Sequence, residues 1–180
     1  MKTKIKVFFG RIFGWIKSNR IKSSIVFLVV LAYYFCLPRT LFESPYATVI
    51  ESQEGELLGA KIARDGQWRF PAQDSVPYKF RQCIVHFEDR HFYKHPGFNP
   101  VAMVHAIRQN NRAGKVVRGG STLTQQVIRL SRKGKSRTYF EKIIEIILAT
   151  RLELRYSKAN ILELYAAHAP YGGNVVGLEM

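Results

Sequence analysis

A mainly α-helical domain is the fold the sequence predicts, preceded by one apolar N-terminal helix and a short β ribbon. Three observations carry this. From Pro77 onward apolar residues recur at helical spacing, with helix start signals at Asn99-Pro100 and Ser157. Between residues 46 and 70, short β-prone runs are separated by Gly55 and by the turn pair Asp65-Gly66. The first 42 residues contain no acidic residue and enclose an apolar run from Ile21 to Leu37.

That run is just long enough for a membrane span, which needs ~17–25 residues, with Lys22 snorkelling. Lys2, Lys4, Lys6, Arg11, Lys17, Arg20 and Lys22 precede or begin it, and only Arg39 follows closely. The positive-inside rule then puts the N-terminus in the cytoplasm and the body outside. A cleaved signal peptide competes, but Tyr33, Tyr34, Phe35 and Cys36 occupy the zone where a small-x-small site would fall. The reading is an uncleaved anchor over 21–38 after a basic cytoplasmic tail, 1–20. Val7–Ile16, aromatic and basic, is expected along the inner membrane surface.

YATVIES, LLGAKIA and QWRF (residues 46–70) suggest an antiparallel ribbon, a linker or pedestal within 39–74. The rest, 75–180, reads as helices. Pro77 suits a first turn, and Phe80, Cys83, Ile84 and Phe87 form a stripe that ends near Glu88-Asp89. Asn99 caps a helix running to about Arg112. Residues 113–120 form a basic, Gly-bearing loop. Ser121 or Thr122 caps LTQQVIRLSRK, Arg137 to Tyr156 is one long helix, and Ser157 caps KANILELYAAHA. Pro170 breaks that helix. The chain then ends on a loop, so the domain is expected to be incomplete at its C-terminus.

Twenty-eight Lys and Arg stand against 13 Asp and Glu, a net charge of +15. That favours an anionic partner, while 47% hydrophobic content excludes a disordered basic tail. Nearly half of that net charge, +7 of +15, sits before or at the start of the apolar run, which argues against nucleic acid. Cys36 and Cys83 offer neither a disulfide framework nor metal spacing, and both are expected to be buried thiols.

Three stretches carry chemistry. Glu88 closes a helix beside Asp89 among Phe87, Phe92 and Tyr93, a setting for a general acid or base, with His91 or His95 as a bonding partner. RGGSTLTQQ (118–126) sets two glycines, suited to close backbone approach to a ligand, before a helix N-terminus whose free amides would bind an anion, with Arg118 and Lys115 adding charge. Glu145 lies among Ile143, Ile144, Ile146, Ile147, Leu148 and Ala149, on a helix apolar all round. Burial there demands a cation, for which Lys142 and Arg151 are candidates. Two separated Glu residues on helices suggest glycosidic-bond chemistry in a lysozyme-like arrangement, and the basic anion site beside them suggests a phosphorylated, lipid-linked donor.

EDRHFYKHPG, RGGSTLTQQ, the Lys142–Glu145 helix and KANILELY resemble, in order, four of the five motifs of the family-51 peptidoglycan glycosyltransferases. RGGSTLT and HAPYGGNVVGLE look most like the penicillin-binding protein 1C type. The resemblance implies a lysozyme-like helical glycosyltransferase domain. It implies polymerisation of lipid II into β-1,4-linked strands, with release of undecaprenyl pyrophosphate. It implies Glu88 as the base on the acceptor 4-hydroxyl and Glu145 as the second essential carboxylate. Asp89, Phe92, His95 and Gly97 complete the first motif. Gly119, Gly120, Ser121, Thr122, Thr124, Gln125 and Gln126, with Arg118, match the donor-side motif. Lys142 belongs to the third motif, and Lys158, Ile161, Leu162, Glu163 and Tyr165 to the fourth.

No required cofactor is implied. Lys142, Arg118 or a divalent cation, Mg2+ or Mn2+, would balance the leaving group. The partners implied are lipid II, the growing glycan chain, the cytoplasmic membrane and other cell-wall synthesis proteins. Glu141 stands where the family usually has Arg, and Ala166-Ala167 replace Leu-Asn. The fifth motif and a transpeptidase domain are absent from the sequence. The alternatives are an inactive membrane-anchored cell-wall scaffold and a lysozyme-like lytic enzyme.

Overall fold

A computed structural model describes residues 17–71, 75–133, 135–136 and 138–178. The chain divides into two units, Met1–Pro38 and Arg39–Met180.

In the first unit, α1 spans Arg20–Phe35, sixteen residues or about 24 Å at 1.5 Å per residue. The apolar side chains from Ile25 to Val30 are each more than half exposed. The helix is shorter than the expected span, and among the described residues no helix is long and apolar enough to cross a membrane. Val7–Ile16 lies outside the described residues.

The second unit begins with the ribbon. Strands β1 (Thr48–Glu51) and β2 (Leu57–Lys61) pair antiparallel, Thr48 opposite Lys61, with an irregularity between Ile50 and Glu51. Residues 67–70 do not add a third strand to it. Trp68 instead bridges Val175: its amide donates to the Asn174 carbonyl at 2.7 Å, and its carbonyl accepts from the Val176 amide at 2.8 Å. The ribbon segment is thereby stitched to the end of the chain, where β3 (Pro170–Gly172) and β4 (Val175–Val176) form a small hairpin. This pairing is non-local, so period-2 patterning in residues 67–70 could not reveal its partner.

The helices are α2 (Tyr78–Glu88), α3 (Pro100–Ala113), α4 (Leu123–Ser131), α5 (Tyr139–Glu153) and α6 (Lys158–His168), with a 3-10 turn at Phe92–Lys94. Their caps follow the sequence. Asn99 accepts from the Ala102 amide with Pro100 in the first turn, and Gly114 closes α3 in the left-handed region. Thr122 rather than Ser121 caps α4, in a reciprocal box with Gln125. Thr138 caps α5 and Ser157 caps α6. Arg137, expected to open α5, lies outside the described residues.

The core is the α4, α5 and α6 triplet, with α4 packed on both others. Leu123, Val127, Ile128, Ala149, Leu152 and Ile161 are fully buried, and Phe92 closes one side. Three packing expectations are corrected. The α2 stripe is mostly solvent-facing: Phe87 is 86% exposed and only Val85 of that helix is buried. Cys83 is exposed and Cys36 half-buried, so neither is a core thiol. Nor is α5 apolar on a wholly buried surface. Tyr139, Phe140, Ile143 and Ile147 face outward, while Glu145, Leu148, Ala149 and Leu152 face inward.

One glycine fixes how the Glu88 loop sits on this core. Gly97 has φ +92°, and a Cβ there would lie 2.6 Å from the Ala149 carbonyl oxygen. Both the conformation and the closeness to α5 exclude a side chain.

Candidate active site

The loop after α2 is bound to the start of α4 by one carboxylate. Asp89, 8% exposed, accepts through Oδ2 from the Leu123 amide at 3.1 Å and from His95 Nε2 at 2.9 Å. A carboxylate accepts only, so His95 donates from Nε2. Thr122 adds a second tie, donating its hydroxyl to the Gly97 carbonyl at 2.6 Å. A third comes from α6: Lys158 Nζ donates to the His95 carbonyl and to Glu153 Oε1, and lies 4.4 Å from the Phe92 ring centre. Thr124, fully buried, also donates to Glu153, at 2.6 Å.

These contacts revise two expectations. His95 bonds Asp89, not Glu88. The N-terminal amides of α4 are not free for a ligand: those of Thr122, Leu123 and Gln125 have acceptors in Gln125, Asp89 and Thr122. The anion that the helix terminus attracts is Asp89 itself. Gly120 is closely packed, since a Cβ there would sit a tight 3.1 Å from Ala106 Cβ and Met103 Cα on α3. Gly119 faces open space.

Two cavities flank this junction. The first, about 810 Å³, is lined by Glu88, His91, Arg118, Gly119, Ser121 and Gln126 among others. Glu88, half-buried, accepts from Gln126 Nε2 at 2.7 Å through Oε2. One carboxylate oxygen is thus held by α4 at the cavity wall. Arg118 belongs to this cavity, its backbone clamped by Asn110, and not to the Glu145 side.

The second cavity, about 860 Å³, contains Glu145. Its two oxygens accept from Arg129, at 2.8 and 3.0 Å, and from Lys142 at 3.1 Å. Lys142 also donates to Ser121 Oγ at 2.8 Å and to Gln125 Oε1 at 3.0 Å, while Arg129 donates to Ser121 at 3.0 Å. Lys142 is the expected partner. Arg129 takes the place foreseen for Arg151. Five cations, Arg129, Arg132, Lys133, Lys135 and Lys142, line this cavity against two carboxylates, Glu141 and Glu145. That surplus suits a multiply charged anion. Gly119, Ser121 and Arg129 line both cavities, so the two meet there.

Sequence alone does not single out Arg129. The signal is a polar stripe at helical spacing, Gln125, Arg129 and Arg132, on a helix whose other face is apolar. Of the expected residues, Glu88, Asp89, Arg118, Gly119, Gly120, Ser121, Thr122, Gln126, Lys142 and Glu145 line a cavity. Phe92, His95, Gly97, Thr124, Gln125 and Lys158 stand behind these walls and hold them. Glu163 lines neither cavity and accepts from Asn160 on its own helix.

Among the described residues no group of three His, Cys, Asp or Glu could hold a metal ion, and both Glu145 oxygens face cations.

A family model described as transglycosylase matches residues 54–180, more than half the chain. The chain belongs to the transglycosylase family. It is 39% identical over 142 residues to penicillin-binding protein 1C of Escherichia coli, covering 78% of this chain and 18% of that protein. It is 38% identical over 106 residues to a biosynthetic peptidoglycan transglycosylase of Alcanivorax borkumensis, covering 59% of this chain and 43% of that one. To the protein of that name in Ralstonia nicotianae it is 27% identical over 171 residues, 94% of this chain and 71% of that one. The chain thus spans about a fifth of the penicillin-binding protein it matches.

Burial pushes the Glu145 carboxyl up, but Arg129 and Lys142 together more than offset this and hold it below its ordinary 4.5. A depressed folded value means the group stabilises the fold above its unfolded value, and that this contribution is lost as pH falls through the folded one. Chemical denaturation should therefore show Glu145→Gln less stable than wild type at neutral pH, with the gap narrowing below about pH 4.5. A gap independent of pH would show that the ion triad contributes nothing through charge.

Proposed function

We propose that this transglycosylase-family chain is a peptidoglycan glycosyltransferase that joins lipid-linked disaccharides into β-1,4-linked glycan. The observation that supports this best is the pairing of two adjoining cavities, one presenting a carboxylate and the other a surplus of cations. Glu88, oriented by Gln126, removes the proton from the 4-hydroxyl of the acceptor sugar. The freed oxygen attacks the anomeric carbon of the donor from the face opposite its diphosphate, inverting that centre. The carbon–oxygen bond to the diphosphate breaks, and its electron pair leaves with undecaprenyl pyrophosphate.

Arg129 and Lys142 sit where the leaving charge grows, and Glu145 holds both cations pointing into the cavity. Such fixed charges need no rearrangement at the moment of transfer. Arg118, on the acceptor side, is assigned to orienting that substrate. Asp89, His95, Thr124 and Lys158 position the Glu88 loop. A lytic enzyme attacking the same polymer would use water and release no diphosphate, so the cationic cavity would have no task in it.

The donor's lipid fits the N-terminal unit. A helix that exposes Ile25 to Val30 favours an apolar surrounding. The apolar run Ile21–Leu37, with cations before it, supports a single-pass anchor in the bacterial cytoplasmic membrane, N-terminus inside and residues 39–180 outside. The glycan chain and other cell-wall synthesis proteins are its partners there. A reporter active only outside the cytoplasm, fused after Leu178, should be active; activity of a cytoplasm-only reporter at that position would reverse the orientation.

Glu88→Gln keeps the size of the side chain but cannot accept the proton. General-base catalysis is worth ~10²–10⁴-fold, so turnover of lipid II should fall by at least that order. Lipid II binding should persist, because an amide still fits the site. Polymerisation at a near wild-type rate would exclude Glu88 as the base.

A further inference from the structure

The ion pair between Arg132 and Glu141 occupies the cationic cavity without serving the Glu145 triad. Arg132 Nε donates to Glu141 Oε1 at 2.5 Å, joining the end of α4 to the first turn of α5. Both residues line the cavity, and their side chains are 28% and 14% exposed. Hydrogen bonding to Arg132, followed by the Arg132 and Lys135 charges, holds the Glu141 carboxyl below its ordinary value against some burial and the repulsion of Glu145. Glu141 is therefore an anion under working conditions, in a cavity suited to anions.

We propose that Glu141 is an internal competitor for the phosphate-bearing part of the substrate: it holds Arg132, and an incoming diphosphate displaces it from that guanidinium. The inference rests on reading this cavity as the phosphate side. It makes Glu141 a specificity-determining residue, one that weakens diphosphate binding and eases release of the diphosphate product. Three observations carry it. Arg132 is presented to the same space as Arg129, Lys133, Lys135 and Lys142. The pair is partly exposed, and such pairs contribute little, so a doubly charged anion can exchange with a single carboxylate. The backbone amide of Glu141 is tied to the Thr138 cap, which anchors the residue while its side chain swings away.

Titration of the full chain in detergent with inorganic pyrophosphate tests this. Glu141→Gln should bind pyrophosphate about threefold to fivefold more tightly than wild type, in line with the modest strength of a partly exposed pair. Its affinity should also fall more steeply with salt, because one more cation is available to the ligand. Arg132→Gln alone should bind no more tightly than wild type, and adding it to Glu141→Gln should abolish the gain. An unchanged affinity in Glu141→Gln would overturn the proposal. So would a gain that survives removal of Arg132, since Glu141 would then act by general repulsion. Circular dichroism of each variant separates loss of fold from loss of binding. The readout needs no turnover: a chain that shows this pattern but never polymerises lipid II refutes the reaction and keeps the competitor.

Discussion

The site depends on one buried carboxylate. Asp89 takes the place of a ligand at the N-terminus of α4, and this contact, with the Thr122–Gly97 tie, sets where the Glu88 loop lies relative to Ser121 and to the helix that carries Gln125, Gln126 and Arg129. A buried charge is tolerable when it is paired and hydrogen-bonded. The Leu123 amide and His95 bond it, and the α4 terminus supplies a favourable field. Gly97 lets the loop return beneath Ala149, and Lys158 and Glu153 brace it from the far side. With the loop so held, Gln126 meets Glu88.

Much of this was legible in the sequence because it is local. Asn99-Pro100, Thr122 and Ser157 are caps that depend on neighbours three residues away, and all three are in place, whereas the Thr138 cap of α5 was not foreseen. Glu145 stood out because a carboxylate among isoleucines must have a cation nearby, and it has two. The reason was only half right: Ile143 and Ile147 face outward, and what buries Glu145 is its packing toward α4. The illegible parts are long-range. Nothing near Trp68 announces Val175, and nothing near Asp89 announces the Leu123 amide, 34 residues on. The α2 stripe misled for a related reason, since amphipathic spacing identifies an apolar face but not what covers it.

The chemistry divides along the same lines. The carboxylate proposed to take a proton is held by a neutral amide, Gln126, while the one proposed to stay charged is held by two cations. Ser121 stands at the join, accepting from both Arg129 and Lys142 and lining both cavities. In the proposed reading, acceptor and donor sites on either side of one short turn let a single helix, α4, orient the base and the cations together.

The Leu123 amide proton reports on this arrangement directly. Its acceptor is a side chain outside the helix, so its hydrogen exchange reports on the Asp89 contact. In the wild-type chain this amide should exchange slowly, opening only with the core of α4, and in Asp89→Ala it should exchange like an uncapped helix terminus while the Val127 and Ile128 amides stay protected. Fast exchange of Leu123 in the wild type, or protection unchanged by the substitution, would contradict the claim that Asp89 holds the two halves of the site together.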